Sequence, residues 1–323
     1  MSPGDALTIR DLAKTYRLGL RMRLVRALDG LDLRVAEGSI FGFVGPNGAG
    51  KTTSIKMLAG LIAPTRGDAA IFGRPIREAA SRRAIGYLPE NPSFHDFLRP
   101  VEVLELMGRL SGLSGEGLTR RAEEVLEQVG LGHARDLTVR KFSKGMVQRL
   151  GLAQAVIHDP PLLILDEPMS GLDPIGRRDV RDLILDLRRR GKTIFFSTHI
   201  LSDVETICDR VGMLLKGKLV AEGALSSLLD GSVRSVEVRC AGLPPEAFPA
   251  LRARALDGRQ GPADWTLSFP DTDAAGGAVA EIIARSGRVL AVTPVQETLE
   301  QSFMRLAGSA GEPGEDRAPA SHG

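Results

Sequence analysis

The sequence has few of the features that mark membrane-spanning, secreted or nucleic-acid-binding proteins. It contains two cysteines, Cys208 and Cys240, which lie far apart without C-x-x-C spacing, so the cysteines indicate neither a disulfide framework nor a metal site. The 42 basic and 40 acidic residues leave a net charge of +2, which gives no indication of nucleic acid. No stretch approaches the ~20 apolar residues of a membrane helix, and no signal-peptide pattern is present. We therefore expect a soluble protein with buried structural thiols, whose membrane role, if any, goes through a partner.

Length and composition predict more than one domain. With about 100–200 residues per domain as a prior, 323 residues fit one large domain and a smaller one. We place the large domain at residues 1–223 and a small α+β domain at residues 224–308, where the composition changes. Residues 309–323 are rich in glycine, proline, alanine and charge, so we expect a disordered tail. No internal repeat is found.

Hydrophobic periodicity predicts an α/β fold for the large domain. Two antiparallel strands are expected at residues 7–16 and 28–35, with a solvated basic loop between them that contains Arg17, Arg21, Arg23 and Arg26. Strands and helices then alternate, which implies a mainly parallel sheet covered by helices. The expected strands are 40–44, 69–72, 162–165, 193–197 and the hairpin 211–215 and 218–221; the expected helices are 51–59 and 179–190.

Two further segments have their own periodicity. Residues 90–160 carry helical spacing without core-type strands, which predicts a helical subdomain inserted into the α/β core. In the small domain, strands are expected at residues 233–239, 265–269 and 288–292, and a helix at residues 278–284.

The strongest motif is GPNGAGKT at residues 45–52, which matches a phosphate-binding loop between a strand and a helix. Glycines 45, 48 and 50 are expected to adopt dihedral angles closed to other residues, so that successive N–H groups surround a phosphate. Lys51 would reach the outer phosphates, and the Thr52 hydroxyl would bind Mg²⁺. The alternative is a glycine-rich turn of similar appearance. The predicted nucleotide contacts here are Gly45, Pro46, Asn47, Gly48, Ala49, Gly50, Lys51, Thr52 and Thr53.

An acidic pair, Asp166 and Glu167, ends the apolar strand at residues 162–165. A phosphate-binding loop needs an acidic partner at the tip of a neighbouring strand. Asp166 would hold Mg²⁺, and Glu167 would polarise the water that attacks the γ-phosphate. An isolated pair of this kind would more often cap the next helix, but the phosphate loop favours the catalytic interpretation.

Together with three further motifs, the chain resembles the ATP-binding cassette ATPases over residues 7–223. These motifs are FSKGM at residues 142–146, SGLD at residues 170–173, and His199 after the strand at 193–197, in the order of that family. The resemblance implies a P-loop NTPase cassette: a mainly parallel sheet with an antiparallel β subdomain and an inserted helical subdomain. It also implies an enzyme that hydrolyses ATP with Mg²⁺.

The resemblance assigns roles to individual residues. Ser143 and Gly145 match the signature that contacts the γ-phosphate bound by a second subunit. His199 matches a histidine that senses the γ-phosphate, and Asp173 matches a loop that communicates between the two sites. Tyr16 matches an aromatic residue that stacks on adenine. Taken alone, His199 and Tyr16 would more often be ordinary structural residues.

Two departures from the family pattern are present. In the signature, Lys144 replaces a glycine and Met146 a glutamine, a form that resembles drug- and lipid-export cassettes; Lys144 either adds charge toward phosphate or points to solvent. Glu90 occupies the position of a glutamine that touches Mg²⁺ and couples the site to the membrane subunit. A carboxylate binds Mg²⁺ more strongly than an amide, so the expected metal ligands are Thr52, Glu90 and Asp166.

The predicted function is therefore the ATP-hydrolysing subunit of an exporter, cytoplasmic and peripheral on the inner face of the cell membrane. Its expected partners are a separate transmembrane permease and a second copy of itself, with ATP between the copies; no nucleic acid is expected. The segment 292–303 resembles the end of an accessory domain of export cassettes, or forms a terminal amphipathic helix through Leu299, Phe303 and Leu306. The alternatives are a cassette ATPase acting on ribosomes or DNA, and a regulatory module that binds ATP without hydrolysis.

Overall fold

A computed structural model describes residues 4–19, 23–228, 233–244, 246–296 and 298–303. The predicted tail at 309–323 and Leu306 lie outside these residues. The strands are β1 (Asp5–Leu18), β2 (Arg23–Ala36), β3 (Ile40–Val44), β4 (Arg66–Ile71), β5 (Arg74–Pro75), β6 (Ile85–Leu88), β7 (Leu162–Asp166), β8 (Thr193–Thr198), β9 (Arg210–Leu215), β10 (Lys218–Ala224), β11 (Val233–Ala241), β12 (Asp257–Gln260), β13 (Trp265–Phe269) and β14 (Arg288–Gln296). The α-helices are α1 (Lys51–Leu58), α2 (Ala79–Arg82), α3 (Pro100–Leu110), α4 (Glu116–Gln128), α5 (Lys144–Val156), α6 (Pro174–Arg189), α7 (Leu201–Ile207), α8 (Leu225–Leu228), α9 (Phe248–Arg254) and α10 (Thr272–Ala284).

The centre of the first unit is a six-stranded sheet in the order β10-β9-β3-β8-β7-β6. All its pairs are parallel except β9 with β10. Every residue of β3, β7 and β8 is buried, because apolar runs of this kind fit strands that are covered on both faces. The rings of Phe41 and Phe43 pack on Phe195 with centroids 5.7 and 5.4 Å apart. The expected parallel sheet is confirmed, and the carboxyl ends of β3, β8 and β7 lie side by side.

A four-stranded antiparallel sheet, in the order β2-β1-β4-β5, precedes and follows the glycine-rich loop in sequence. The two strands expected at residues 7–16 and 28–35 are confirmed but longer, with 14 residues each. Arg17 pairs with Leu24, and Arg23 and Arg26 also lie on the ladder, so the predicted basic loop is wrong for these three residues. The ladder needs only backbone partners, so it continues through Arg17, Arg23 and Arg26 although these residues are exposed. Arg21 lies outside the described residues.

The helical segment of the first unit contains α3, α4 and α5. Residues 90–99 are not helical, so the predicted start at Glu90 is wrong; the first helix begins at Pro100, where Glu102 accepts a hydrogen bond from the Arg99 N–H at 2.7 Å. Proline has a φ angle that suits the first helical position. Strand β6 was not expected.

Helix α6 also begins earlier than its predicted start at Asp179. Asp173 precedes it, and the Asp173 Oδ1 accepts a hydrogen bond from the Gly176 N–H at 2.7 Å. Pro174 takes the first helical position. Ile175 in the first turn is exposed, and the regular apolar period begins only at Val180, which is why the hydrophobic pattern alone placed the start too late.

A second compact unit runs from Ser226 to Arg305. Its sheet has the order β12-β13-β11-β14, and Val236, Val238 and Phe269 pack with residues of α9 and α10 in a core of its own. Helix α9 and strand β12 were not expected. Helix α10 starts six residues before its predicted start at Ala278, because Asp271 caps it and the Gly276–Gly277 pair hides its period. Cys240 is buried in this core, and Cys208 of the first unit is partly buried.

The last described residues, 299–303, are helical with Leu299 buried. Among the described residues, none of the helices combines the length and the apolar character that a bilayer crossing requires.

Candidate active site

The glycine-rich loop connects the end of β3 to Lys51, the first residue of α1. Gly48 and Gly50 have φ angles of 79° and 111°, which favour glycine and allow the loop N–H groups to face one side. Gly45 has no positive φ, so the expectation of a special dihedral angle there is wrong. Glycine is required at position 45 because a Cβ would overlap the Leu214 carbonyl oxygen.

Lys51 is buried against its own loop, with 5% of the residue exposed. Its Nζ donates hydrogen bonds to the Gly45 and Pro46 carbonyl oxygens at 2.6 and 3.3 Å. The same atom lies 3.3 Å from Glu167 Oε1. Lys51 therefore joins the loop to the acidic end of β7 across the sheet.

Asp166 has one carboxylate oxygen in hydrogen bonds and one without. Oδ1 accepts hydrogen bonds from Ser197 Oγ at 2.6 Å and Thr52 Oγ1 at 3.2 Å. Oδ2 is buried and has no hydrogen-bond partner among the described residues. The pKa of Asp166 is raised above its ordinary value, chiefly because the carboxyl group is buried. The hydrogen bonds from Ser197 and Thr52 oppose this shift, whereas the negative charges of Glu90 and Glu167 add to it.

These residues fit a divalent cation. A buried carboxylate oxygen without a partner, here Asp166 Oδ2, is costly unless a cation or proton satisfies it. The Thr52 hydroxyl is hydrogen-bonded to the other oxygen of the same carboxylate. Among the described residues, no group of three or more His, Cys, Asp or Glu side chains could hold a metal ion unaided. Mg²⁺ suits such a place because it is usually bound by one or two carboxylates together with substrate phosphates. Glu90 lines the same pocket as the loop residues 47–53 and Glu167.

Glu167 is held by three contacts. Its φ of 50° lies in the left-handed region, and its N–H donates a hydrogen bond to Ser197 Oγ at 3.0 Å. Its Oε2 lies 2.9 Å from His199 Nδ1, and its Oε1 faces Lys51. The structure therefore brings Lys51, Glu167 and His199 together, from the ends of three adjacent strands. The sequence reasoning missed Ser197; its only signal is a serine that directly follows the apolar residues 194–196 of β8.

The predicted signature lies at the start of α5. Ser143 caps this helix, its Oγ accepting a hydrogen bond from the Met146 N–H at 3.3 Å. A Cβ at Gly145 would meet nothing closer than Leu172 Cδ2 at 3.7 Å. The fold of this chain therefore does not require glycine there. The Lys144 side chain lies across Gly171 in the SGLD loop, although the sequence had left its direction open.

Gln148 is a second residue that the sequence reasoning missed. It is buried, with 2% exposed, and its Nε2 donates a hydrogen bond to the Pro168 carbonyl oxygen at 3.0 Å. It thus ties the helix that follows the signature to the segment after Glu167. Its signal in the sequence is a polar residue on the apolar face of α5.

Three predicted site residues are not joined to the phosphate loop. Tyr16 lies on β1, where the Lys14 Nζ stands 5.2 Å from its ring centroid. Asp173 caps α6, and Ser143 caps α5. Within the described part of the chain, no hydrogen bond or ion pair links Tyr16, Asp173 or Ser143 to residues 45–53.

A phosphate loop beside two buried carboxylates and a histidine defines a nucleoside-triphosphate hydrolase of the P-loop class. Residues 28–170 match the family model described as ABC transporter. An uncharacterized ABC transporter ATP-binding protein of Nostoc sp. is 41% identical, covering 91% of this chain and 87% of that protein. The chain belongs to the ATP-binding subunits of ABC transporters.

Two other similar proteins extend the comparison. The daunorubicin/doxorubicin resistance ATP-binding protein DrrA of Streptomyces peucetius is 35% identical over 98% of this chain and 96% of its own length. A solved dimeric ATP-binding cassette in a post-hydrolysis state, bound to ADP and Pi, covers 68% of this chain and 98% of its own, with 26% identity and a TM-score of 0.63. The expected cassette fold and ATPase activity are confirmed. The comparisons do not favour an ATPase that acts on ribosomes or DNA.

Proposed function

We propose that this protein is the ATP-hydrolysing subunit of an exporter and drives a separate transmembrane permease from the cytoplasmic face of the membrane. Support comes from the FSKGM form of the signature and from the likeness along almost the whole chain to a protein named for drug resistance. The transported compound is selected by the permease in systems of this kind, so the proposal names none.

The observation that carries the proposal is the setting of Glu167. Its carboxylate is nearly buried, is anchored through its own backbone, and stands between Lys51 and His199. A carboxylate in this place can accept a proton from a water molecule and orient that water toward a phosphate bound in the loop. Mg²⁺, when bound by Thr52 and Asp166, would neutralise charge on the transferred phosphate. Glu90, in the same pocket, is proposed as a further ligand.

A second copy of the chain is proposed to complete the site. Gly145 is free of packing constraints in its own chain, and Ser143 caps a 13-residue helix whose N-terminus favours an anion. We place the γ-phosphate of ATP between Lys51 of one copy and Ser143 and Gly145 of the other, with Asp173 at the boundary. Tyr16 is proposed to stack on adenine, a contact of about 0.5–1.5 kcal/mol for aromatic pairs. The dimeric form of the solved cassette supports this assembly.

The permease is proposed to contact residues 90–100 and the helix α3 that follows. This segment exposes large apolar side chains, with 73% of Phe97 and 75% of Leu110 accessible. Contiguous exposed apolar groups mark surfaces that bind another protein, and we propose that Phe97 and Leu110 contribute to such a surface. Glu90 would connect that surface to the phosphate loop.

Replacing Glu167 with glutamine tests the hydrolytic assignment. Glu167→Gln should keep ATP binding and lower the rate of phosphate release by about 10²–10⁴-fold, because glutamine cannot take a proton from water. The matched control is Glu123→Gln, the same change at an exposed position of α4, which should retain the wild-type rate. A Glu167→Gln protein that releases phosphate as fast as the wild type would contradict the proposal.

A further inference from the structure

Ser197 lies beside the acidic end of β7 without belonging to any motif of the site. It is the fifth of the six residues of β8 and is fully buried. The parallel register pairs it with Asp166 across the sheet. Directly paired residues of neighbouring strands point to the same face, so the Ser197 hydroxyl is brought to the Asp166 carboxylate.

The single hydroxyl of Ser197 makes two hydrogen bonds in a fixed direction. The Glu167 N–H can only donate, so Ser197 Oγ is its acceptor, at 3.0 Å. The hydroxyl proton therefore goes to Asp166 Oδ1, at 2.6 Å. One side chain thus holds the side chain of Asp166 and the backbone of Glu167 at the same time.

Both bonds have consequences for the acidic pair. Because Oδ1 of Asp166 is held by Ser197 and Thr52, the buried Oδ2 is the oxygen left without a partner among the described residues. The bond to the Glu167 N–H anchors a left-handed backbone that is unfavourable for a residue with a side chain. In that conformation the Glu167 carboxylate reaches Lys51 and His199.

We propose that Ser197 is a positioning residue for ATP hydrolysis: it holds Asp166 so that Oδ2 would be available to bind a divalent cation, and it holds Glu167 where its carboxylate would orient water. This inference rests on the proposed roles of Asp166 and Glu167. In this role Ser197 acts through its hydrogen bonds to Asp166 and to the backbone of Glu167.

Three variants separate positioning from a general structural role. Ser197→Ala should lower kcat about 10- to 100-fold, the range expected for losing a hydrogen bond to a charged group, and leave the KM for ATP within about twofold. Ser197→Thr keeps the hydroxyl and should recover most of kcat. Ser81→Ala is the control: Ser81 is also buried, and its Oγ donates a hydrogen bond to the Glu78 carbonyl oxygen at 2.8 Å in α2. It should keep the wild-type kcat.

A binding measurement supplies a readout without turnover. In the Glu167→Gln background with ATP present, Mn²⁺ replaces Mg²⁺, and free Mn²⁺ is followed by electron paramagnetic resonance. Adding Ser197→Ala should weaken Mn²⁺ binding about tenfold, since Asp166 loses the hydrogen bond that orients it. Should Ser197→Ala not fold, Ser197→Cys replaces it, because a thiol is a weak donor.

If Ser197→Ala keeps both the wild-type kcat and the wild-type Mn²⁺ affinity, the inference is overturned. So would an equal loss of kcat in Ser197→Ala and Ser81→Ala, or no recovery in a folded Ser197→Thr. The failure of the proposed function is a separate result: it appears as wild-type hydrolysis by Glu167→Gln, whatever the Ser197 variants do.

Discussion

Replacing Lys51 with methionine should destabilise the nucleotide-free protein, although the expected role of this lysine is to bind the phosphates of ATP. Lys51 and Glu167 are both nearly buried, at 5% and 6% exposure, with 3.3 Å between their charged atoms. Methionine leaves the Glu167 carboxylate buried without its cation. Breaking a buried pair in this way costs about 3–5 kcal/mol. We expect the lower end, about 3 kcal/mol, because His199 remains 2.9 Å from the other carboxylate oxygen.

The double variant Lys51→Met/Glu167→Gln provides the decisive comparison. Glutamine carries no charge, so the penalty that methionine creates should largely disappear. The loss of unfolding free energy in the double variant should be about 2 kcal/mol smaller than the sum of the two single losses, within the range found for contacting residues. This double-mutant cycle is measured as the free energy of unfolding of the first unit in urea, without nucleotide, for the wild type, the two single variants and the double variant. By thermal unfolding, Lys51→Met should lower Tm by about 6–12 °C, at about 2–4 °C per kcal/mol. Additive single effects would show that Lys51 and Glu167 do not stabilise each other.

Two further predictions concern the loop and the metal. Gly50→Ala should abolish ATP binding and destabilise the fold, because at φ 111° its Cβ would overlap the Ala27 carbonyl oxygen. Gly48→Ala, at φ 79° in open space, should lower the free energy of unfolding by less, about 1–2 kcal/mol. Circular dichroism melts and nucleotide titration measure the two effects. Equal losses in the two variants would contradict the packing argument. Glu90→Gln should raise the Mg²⁺ concentration needed for half-maximal ATPase activity, since an amide binds Mg²⁺ less strongly; identical curves would remove Glu90 from the metal site.

Motifs with fixed spacing allowed Lys51, Glu167 and His199, which the structure brings together, to be predicted from sequence as parts of one site. Lys51, Glu167 and His199 follow three buried apolar strands, and such strands can be recognised without coordinates. Their mutual distances could not be predicted, because these depend on the strand order β3-β8-β7. That order brings Lys51 to within 3.3 Å of Glu167, more than 100 positions later in the chain, and His199 to within 2.9 Å of the same side chain. Ser197 was missed for the same reason: one serine in a strand becomes informative only when the register pairs it with Asp166.

The errors in element boundaries have local physical causes. Helix α6 starts at Pro174 because Asp173 caps it, whereas the apolar period becomes visible only at Val180. Gly45 was expected to need a special dihedral angle, but its constraint is the neighbouring carbonyl of Leu214, a tertiary contact that a sequence pattern does not contain. For the start of α6 and for Gly45, the residue types in the sequence were therefore informative. The contacts that make those residues necessary are visible only in the folded structure.

Whether two copies of the chain share each ATP is tested most directly by measuring the mass of the Glu167→Gln protein in solution with and without ATP. If two copies share each ATP, light scattering during size exclusion should give a dimer with Mg²⁺ and ATP and a monomer with ADP. Adding Ser143→Arg, which places a long side chain at the proposed contact, should leave a monomer that still binds ATP. A Glu167→Gln protein that binds ATP and stays monomeric, or a dimer indifferent to Ser143→Arg, would contradict the account.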